Sequence, residues 1–538
     1  MLPVHMTTMS MGRECRWPAP LAHLTARSST PLTGAMPPTS SLDPRWPVLV
    51  GVGQVEQRTD DVHAALSPDA LLAEAARVAQ TDSGAGGLLG AVDTVAVIRI
   101  LSWRYQDPGA LVAGHLGITP RRTIVTDDGG NYPQTLLNRA CLAILDGSSD
   151  AVLIGGAETW RTRSRHKAAE LTPDWPRQEA SVAPTEVLAN KADLWHPGEW
   201  ARRVMMPIEF YPLFENAHRA AEGWTIPDHR DRVAALWSRF SEVAATNPHA
   251  WIRRTFTPAE IRDPSPDNRM VGFPYTKLMN ANNAVEQAAA FVVCSVAKAI
   301  ELGVPTDRWV FPWSGTDAHE HWHVSSRWSL AEAPAIRLAG RRALELAGVG
   351  VDDLAHVDVY SCFPSAVQIA AKEIGLGTDR PLTVTGGLSF AGGPWNDYVS
   401  HSIATMADRL RADAGAVGLV TANGGFLTKH AFGVFSTTPP PAAFRHADLQ
   451  DEVDALPSRQ LAEHVDPAAD GEVVVETSTV MHDRASNPER AILSTLLADG
   501  RRAWAGSTDP AVLRELTTVE TAGRTGTVDA EGTFTFTD

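Results

Sequence analysis

The chain has 538 residues, a length that predicts about two to four domains. Hydrophobic residues make up 44% of the chain and charged residues 20%, an ordinary balance for a soluble globular protein. The 63 acidic residues outnumber the 47 basic ones and give a formal net charge of −16, which argues against a general nucleic-acid-binding protein.

The N-terminal stretch, residues 1–45, is rich in Pro, Ser, Thr and Met and lacks the apolar region of a signal peptide. We predict a disordered extension, or an upstream stretch ahead of a start at Met36, and a cytoplasmic location. The sequence has no apolar run of the roughly 18 residues that a membrane-spanning helix needs, so we expect no membrane span. The 4 cysteines lack the paired spacings of a zinc site or a disulfide framework.

The first predicted α/β unit occupies residues 46–160. It opens with the buried strand PVLVGVGQ, and helix Asp69–Gln80, strand Thr94–Ile98 and a further helix follow. The stretch Arg122–Glu158 then gives a strand, a glycine turn, a helix, a second strand and a second glycine turn.

An insertion at residues 161–269 interrupts this pattern with prolines and tryptophans. We expect a lid of helices and loops over the ligand end of the sheet, with tryptophans that either pack the lid or stack on a substrate. Residues 270–312 return to the first unit, where the apolar segment Ala288–Cys294 suits a buried strand or helix.

The second unit, residues 313–436, repeats the element order of the first. Its predicted elements are helix Ala335–Ala347, strand Val357–Tyr360, helix Pro364–Ile374, strand Leu382–Thr385, a glycine turn, helix Trp395–Ala414, strand Val417–Thr421 and a second glycine turn. Such a duplication, at a period of roughly 260 residues, places the glycine turns at the carboxyl ends of strands, where open α/β sheets bind ligands. The alternative is that these glycines only punctuate turns.

The C-terminal part differs in kind. Residues 437–466 include TTPPPAA and predict a linker. Residues 467–538 alternate with period two around hairpin signals and predict a small antiparallel barrel or sheet. The whole pattern predicts an α/β protein with a duplicated core, an inserted lid and a small all-β C-terminal domain.

The sequence resembles the thiolase superfamily of acyl-CoA enzymes over Pro47–Ser436, through PVLVGVGQ, LNRACLAILDGSSDAVLIGGAE, LMNANNAVEQAAA, VDVYSCFPSAVQ, GGLSFAGGP and TANGGFLTKHAFGVFS. With its β-rich tail it is similar to the actinobacterial thiolase-like proteins of type 1, commonly labelled acetyl-CoA acetyltransferases. The resemblance implies a thiolase-type αβαβα core and an OB-like tail. It also implies coenzyme A as substrate or ligand, with no covalently bound cofactor.

Three catalytic side chains of the thiolases are missing from the matching positions. The nucleophilic cysteine falls on Gly130 or Asn131, the histidine of Gly-His-Pro on Gly393, and the second cysteine of Cys-x-Gly on Ala422. Thiolase chemistry needs an activated thiolate, a base and an oxyanion hole. The resemblance therefore does not predict ordinary condensation through a cysteinyl acyl-enzyme.

Other side chains on the matching loops are candidates for the site. Cys362, after strand Val357–Tyr360, is either a displaced nucleophile or a small buried residue facing the cleft. His430 is either a base or carbonyl-polarising group or a structural histidine. Asn423 and Asn282 can donate to an oxyanion or an amide.

Backbone groups on the same loops are further candidates. Gly130 and Asn131 at a helix start predict a cradle for a carbonyl oxygen or a carboxylate, with Gly393 and Gly424 beside it. The phosphates of coenzyme A would need cations, and the densest supply is at the start of the lid, in Arg161, Arg163 and Arg165. A solvated charge run explains these arginines nearly as well.

Three functions remain open. The first is an acyl-CoA acyltransferase of the acetyl-CoA acetyltransferase type, with a rearranged site and weak or altered catalysis. The second is a non-catalytic acyl-CoA- or lipid-binding protein, and the third a thiolase-like carbon–carbon lyase (aldolase) of the sterol side-chain type. Thiolases pair through the strand that matches Thr123–Val125, so we expect a homodimer, or a monomer if the tail covers that edge.

Overall fold

The computed structural model describes residues 38–190, 192–466 and 470–537. The strands in chain order are β1 Pro47–Glu56, β2 Thr94–Val97, β3 Arg122–Thr126, β4 Ala151–Thr159, β5 Glu186–Leu188, β6 Met270–Gly272, β7 Tyr275–Thr276, β8 Glu286–Ser295, β9 Phe311–His319, β10 Leu354–Asp358, β11 Val417–Gly424, β12 Lys429–Ser436, β13 Arg445–Asp448, β14 Val473–His482, β15 Pro488–Leu496, β16 Arg502–Ser507, β17 Thr525–Val528 and β18 Phe534–Phe536. The helices are α1 Pro68–Ser83, α2 Pro108–Leu116, α3 Tyr132–Asp146, α4 Trp160–Ala168, α5 Pro197–Ala201, α6 Pro207–Ala221, α7 Ile226–Thr246, α8 Pro258–Arg262, α9 Val296–Glu301, α10 Pro334–Ala347, α11 Pro364–Ile374, α12 Gly387–Phe390, α13 Tyr398–Ala412, α14 Gln450–Asp454 and α15 Pro510–Thr518.

Two sheets that share an order of four strands form the core. The first sheet runs β1-β8-β4-β2-β3-β5, and the second, read in the same direction, runs β13-β9-β12-β11-β10. The strands β1-β8-β4-β2 of the first sheet correspond to β9-β12-β11-β10 of the second. In the first sheet β2 and β4 are parallel, β8 is antiparallel to β4, and β1 is antiparallel to β8. In the second sheet β10 and β11 are parallel, β12 is antiparallel to β11, and β9 is antiparallel to β12. This shared order confirms the predicted duplication of the α/β unit.

The helices complete a five-layered sandwich. α3 and α13 lie between the two sheets and contact strands of both, while α1 packs on β1 of the first sheet and α10 packs on β9 of the second. The predicted αβαβα fold class is therefore confirmed. In the part of the chain that the structure describes, no helix is long and apolar enough to cross a lipid bilayer.

The segment Leu382–Thr385, predicted as a strand, is an irregular loop. Val359 N donates to Leu382 O at 2.8 Å and ties the loop beside β10. The buried carboxylate of Asp358 accepts from Thr383 Oγ1 and from Val384 N, both at 2.8 Å. The Asp358 carboxylate thus accepts from the backbone N–H of Val384, which in a strand would donate to a neighbouring strand. The strand prediction is therefore wrong.

The predicted disordered extension lies mostly outside the described residues, which begin at residue 38. Residues 38–45 themselves are ordered, contrary to the prediction. Arg45 fastens them, since its guanidinium donates to Ser149 O at 2.9 Å and to the Asp150 carboxylate at 2.6 Å.

The lid carries helices α4 to α8 and strand β5. Its Trp237 is fully buried, stacks on Phe240 with ring centroids 5.0 Å apart, and donates to Ser389 Oγ at 3.0 Å, so this tryptophan packs the lid. β5 pairs in parallel with β3. We expected this edge of the first sheet to pair with a second copy or to be covered by the tail, and the lid covers it instead.

Residues 437–466, predicted as a linker, contain β13 and α14. β13 extends the second sheet by pairing in parallel with β9, and His446 Nε2 lies 2.8 Å from Asp317 Oδ2. Leu449 and Val453 are buried on this sheet. The prolines at the start of the segment indicated a linker, but β13 and α14 pack on the core. The linker prediction is wrong for these two elements.

The tail forms a sheet in the order β16-β15-β14-β17-β18, with β6 pairing to β14. Residues 270–276, assigned from sequence to the first unit, therefore join the tail sheet instead. The tail docks on the lid helix α6, where Asn216 Nδ2 donates to Ser478 O at 2.8 Å and to Phe273 O at 3.2 Å. Helix α15, which covers the tail sheet, was not predicted.

Candidate active site

The candidate site lies at the carboxyl ends of β10 and β11. Cys362 occupies the short loop between β10 and α11, and Asn423 lies near the end of β11. Asn423 Nδ2 lies 3.8 Å from Cys362 Sγ. Burial raises the pKa of the Cys362 thiol to about 12, although hydrogen bonds to the thiol oppose this shift. At neutral pH the residue is therefore a thiol.

Tyr211, on lid helix α6, connects the thiol to the turn after β11. Its hydroxyl bonds the Cys362 thiol and accepts from Asn423 Nδ2 at 2.9 Å and from Leu427 N at 2.9 Å. Its ring stacks on Phe363 with centroids 4.4 Å apart. Sequence reasoning missed this residue, because a tyrosine in a lid helix carries no motif that links it to a strand end far along the chain.

His430 lies on β12 directly opposite Asn423 in the antiparallel register. Burial lowers the pKa of His430 to about 3, and the positive charge of Arg327 acts in the same direction. Arg327 itself is buried and donates to Thr428 Oγ1 at 2.9 Å. Among the described residues, His430 Nε2 has no hydrogen-bond partner, so this imidazole is neutral and a weak base.

The turn before α3 packs directly against the turn after β11. A Cβ on Gly130 would lie 2.5 Å from both Asn423 O and Tyr360 Oη, and a Cβ on Gly424 would lie 2.7 Å from Asn131 Oδ1. Glycine is needed at both positions for this approach. The structure thus brings Gly130, Asn131, Asn423 and Gly424 together beside Cys362.

The backbone N–H groups of Gly130 and Asn131 have no acceptor among the described hydrogen bonds. Asn131 Oδ1 is likewise buried without a partner in the described part of the chain. The preceding N–H group, on Gly129, donates to Asn396 Oδ1 at 3.0 Å and fixes the turn. Two free donors at the start of a 15-residue helix form a place for a carbonyl oxygen or an anion.

Lys429 is a further member of the site that sequence reasoning missed. Its ammonium group donates to Asp128 O and lies 5.2 Å from the centre of the Tyr132 ring. Burial lowers the pKa of Lys429, while the nearby carboxylates of Asp127 and Asp128 oppose that shift. The signal was present in sequence, since Lys429 precedes the candidate His430 in a strand that borders the glycine turn.

Asn282 and Gly393 lie together, with Gly393 N donating to Asn282 O at 2.9 Å. The side chain of Asn282 accepts from Ala284 N at 3.3 Å, so its oxygen shapes its own turn. Within the described contacts, neither residue touches Cys362. Asn282 and Gly393 therefore form a separate pair that does not contact the thiol in the described part of the chain.

The three lid arginines separate into two groups. Arg161 donates to Thr59 O at 2.7 Å and to the Asp60 carboxylate at 2.6 Å, and Arg165 donates to Thr59 O at 3.1 Å. Both guanidinium groups therefore fasten the loop after β1. Arg163 lies over the Trp160 ring, 4.8 Å from its centre, and lines an open cavity.

Comparison with known proteins agrees with this architecture. The family described as "Thiolase-like protein type 1 additional C-terminal domain" matches residues 448–533. An acetyl-CoA acetyltransferase of Methanocaldococcus jannaschii is 23% identical over 268 residues, which are 49% of this chain and 60% of that relative. The chain thus spans less than two thirds of the curated relative it matches.

Solved structures extend the likeness to nearly the whole chain. The Ltp2-ChsH2(DUF35) aldolase (17% identity, TM-score 0.55, 73% of this chain and 98% of that one) and the dimeric peroxisomal thiolase of Saccharomyces cerevisiae (14%, 0.53, 74% and 99%) share the fold. The monomeric SCP2-thiolase like protein type 1 of Mycobacterium smegmatis is 33% identical, with a TM-score of 0.76, over 91% of this chain and 98% of that one. This identity over almost the full length, with the tail domain included, places the chain in the SCP2-thiolase-like proteins of type 1, within the thiolase superfamily.

Proposed function

We propose that the protein binds coenzyme A thioesters on its thiolase-type scaffold and transfers their acyl groups weakly or not at all. The observation that carries this proposal is the environment of Cys362, which Tyr211 and Asn423 hydrogen-bond in place of a base. With a pKa of about 12, a fraction of about 10⁻⁵ of this thiol is ionised at pH 7. A thiol in that state is a poor acyl acceptor.

The neighbouring groups support binding of a thioester carbonyl. The free N–H donors of Gly130 and Asn131 lie at the start of α3, where the helix dipole favours partial negative charge. The hydroxyl of Tyr360 lies against the same turn, as does the backbone carbonyl of Asn423. Coenzyme A would supply the thioester itself, and the two N–H groups with the Tyr360 hydroxyl would hold and orient its carbonyl oxygen.

The neutral state of His430 argues in the same direction. A thiolase-type acyl transfer needs a group that removes the thiol proton and later returns a proton. An imidazole with a pKa of about 3 has little affinity for that proton, since its pKa lies about nine units below the pKa of about 12 of the thiol. Losing a base or a nucleophile typically costs on the order of 10⁴ or more in rate.

The experiment is intact mass spectrometry after incubation with a panel of acyl-CoA esters, combined with calorimetric titration of the same esters. We expect saturable binding in the wild type and in Cys362→Ala, without a mass increase in either. An acyl adduct that disappears in Cys362→Ala would instead establish an acyltransferase. Absence of saturable binding to every ester would refute the proposal.

A second candidate is a carbon–carbon lyase of the aldolase type. It is favoured by two tyrosine hydroxyls beside the thiol, since burial raises the pKa of both Tyr211 and Tyr360 and keeps them as neutral donors. In such a reaction the hydroxyl proton of a β-hydroxyacyl thioester passes to water, and the Cα–Cβ bond breaks to leave a carbonyl compound and an enolate. The enolate takes a proton from a tyrosine hydroxyl that solvent then reprotonates. Release of a carbonyl compound and a shortened acyl-CoA by the wild type, lost in Tyr360→Phe, would identify this activity.

A further inference from the structure

A cavity of about 910 Å³ lies beside the carboxyl end of β3, away from the Cys362 thiol. Its walls come from the loop after β2, from residues 177–180 of the lid and from the strand ends themselves. Among its described lining residues are four arginines and no carboxylate: Arg99, Arg104, Arg163 and Arg177. The volume is in the range of small-molecule sites, about 300–1,000 Å³.

Three of these arginines form no ion pair among the described residues, although the charge of Arg163 acts on the buried Glu158 carboxylate. In the described part of the chain, Arg104, Arg163 and Arg177 make no ion pair, whereas Arg99 pairs with Asp128 at 3.0 Å and more weakly with Asp127 at 3.8 Å. On a chain with a net charge of −16, so dense a group of unpaired cations is a local reversal of sign. A concave surface of one sign attracts ligands of the opposite sign.

The walls of the cavity are held in place before any ligand arrives. Gln178 Oε1 accepts from Gln106 N at 3.0 Å and from Asp107 N at 2.9 Å, which ties the lid to the loop after β2. Trp103 Nε1 donates to Pro176 O at 2.9 Å. The guanidinium of Arg177 lies 5.4 Å from the centre of the Trp103 ring, so one cation is already positioned against a flat aromatic face.

We propose that this cavity binds a phosphorylated small molecule. Guanidinium groups offer paired N–H donors that match phosphate oxygens, and three of the four that line this cavity form no ion pair among the described residues. The phosphate groups come either from coenzyme A or from a free nucleotide, and this chemistry is common to both.

Asn396 links the cavity to the turn that carries the N–H groups of Gly130 and Asn131. Asn396 Nδ2 donates to Arg99 O at 3.1 Å, and Asn396 Oδ1 accepts from Gly129 N at 3.0 Å. A ligand that moves Arg99 therefore acts on the turn that carries Gly130 and Asn131. The inference does not depend on thioester binding, since it rests on the arginines alone.

The test is calorimetric titration of inorganic pyrophosphate into the wild type and into the double variant Arg104→Ala/Arg177→Ala. Both arginines are exposed, so the variant is expected to keep the fold and melting temperature of the wild type. We expect saturable binding that weakens at least tenfold in the double variant and falls with added salt. The matched control is Arg253→Ala, an exposed arginine outside the cavity, which should bind like the wild type.

Parallel titrations of coenzyme A and 3′,5′-ADP identify the source of the phosphate groups. Competition between pyrophosphate and coenzyme A supports a site for the nucleotide end of that molecule, and binding of both at once supports a separate nucleotide site. Equal pyrophosphate affinity in the wild type and the double variant overturns the inference. Acyl-CoA binding without pyrophosphate binding also overturns it, and leaves the proposed function standing.

Discussion

At Cys362 two physical effects act on the thiol in opposite directions. The residue lies two positions before α11, where a helix dipole favours a thiolate by about 0.3–1 kcal/mol. Burial raises the pKa from 9.0 to about 12, which corresponds to about 4 kcal/mol in favour of the thiol. Burial is the larger effect, so a helix start alone does not make this cysteine reactive.

The rate of alkylation of Cys362 should therefore rise about tenfold per pH unit from pH 7 to pH 10, without a plateau. The sign follows from the raised pKa, because the reactive thiolate becomes more abundant throughout this range. Iodoacetamide labelling followed by peptide mass analysis measures the rate at each pH. The urea-unfolded chain is the reference, and its cysteines should level off above about pH 9. A plateau of native Cys362 near pH 8 would contradict the assigned environment.

Replacing Tyr211 by Phe removes the acceptor for two buried donors, Asn423 Nδ2 and Leu427 N. We expect the free energy of unfolding to fall by about 1–3 kcal/mol, measured by urea denaturation, because these donors stay buried without a partner. Alkylation of Cys362 should also become slower at fixed pH, because the Tyr211 hydrogen bond lowers the pKa of the thiol and its loss leaves less thiolate.

Tyr105→Phe is the matched control for that variant. Its hydroxyl donates to Asp69 at 2.5 Å, far along the chain from the thiol loop, so its loss should lower stability without changing Cys362 labelling. Cys141, which is fully buried in α3, serves as an internal reference in both variants. Faster labelling of both Cys141 and Cys362 would indicate general loosening and would contradict the local effect.

At the scale of elements, this chain departs at β3 from the expectation that thiolases pair through this strand. The tripeptide strand β5 pairs with it, and Leu188 O accepts from Asp127 N at 2.8 Å. In a parallel ladder the N–H of a residue points to the same side as its C=O, so the Leu188 N–H also faces β3. An uncovered edge strand would be free to pair with a second chain.

Leu188→Pro should therefore expose this edge, because proline has no N–H for the ladder. We expect the wild type to be monomeric and the variant to form dimers or larger species as concentration rises, as measured by size-exclusion chromatography with light scattering. Val187→Pro is the control, since the Val187 N–H faces away from β3 by the same alternation. A monomeric Leu188→Pro protein over the whole concentration range would show that β5 does not set the oligomeric state.

The elements themselves were largely predictable from the sequence where hydrophobic period and glycine turns agree. Helix Pro364–Ile374 was placed without error, and the strands around the Asn423–Gly424 turn differ from prediction at their ends. The Leu382–Thr385 segment was not predictable as a loop, because its fate depends on the buried Asp358 carboxylate of a different strand. Period and composition carry no information about such a partner.

The candidate site shows the same division. Cys362, Asn423, Gly130 and Gly424 could be found because they stand at the ends of repeated strands. Tyr211 could not, because the lid sequence gives no sign of which strand end each helix covers. The basic cavity was found only in part, since its arginines come from three separate segments and the sequence pointed to one of them, Arg163.

At the scale of the whole molecule, a fully buried arginine links the tail domain to the core. Arg502, at the start of β16, donates to Ser325 O at 2.8 Å and to Arg327 O at 2.6 Å, and it pairs with Glu476 at 2.7 Å. These bonds hold the segment that carries Arg327, whose charge faces His430. The tail therefore helps to define the electrostatics of the site without contributing a side chain to it.

Arg502→Met should consequently destabilise core and tail together. The substitution leaves the partly buried Glu476 carboxylate and three carbonyl oxygens without their donor, a change that typically costs about 3–5 kcal/mol. Urea unfolding followed by tryptophan fluorescence should show an earlier midpoint, and limited proteolysis should cut earlier near residues 324–327. The neighbouring Arg501 is the control, because it pairs with Asp499 at the surface, where screening makes such pairs weak. Arg501→Met should unfold like the wild type, and equal midpoints for the two variants would mean that the interface around Arg502 does not couple the tail to the core.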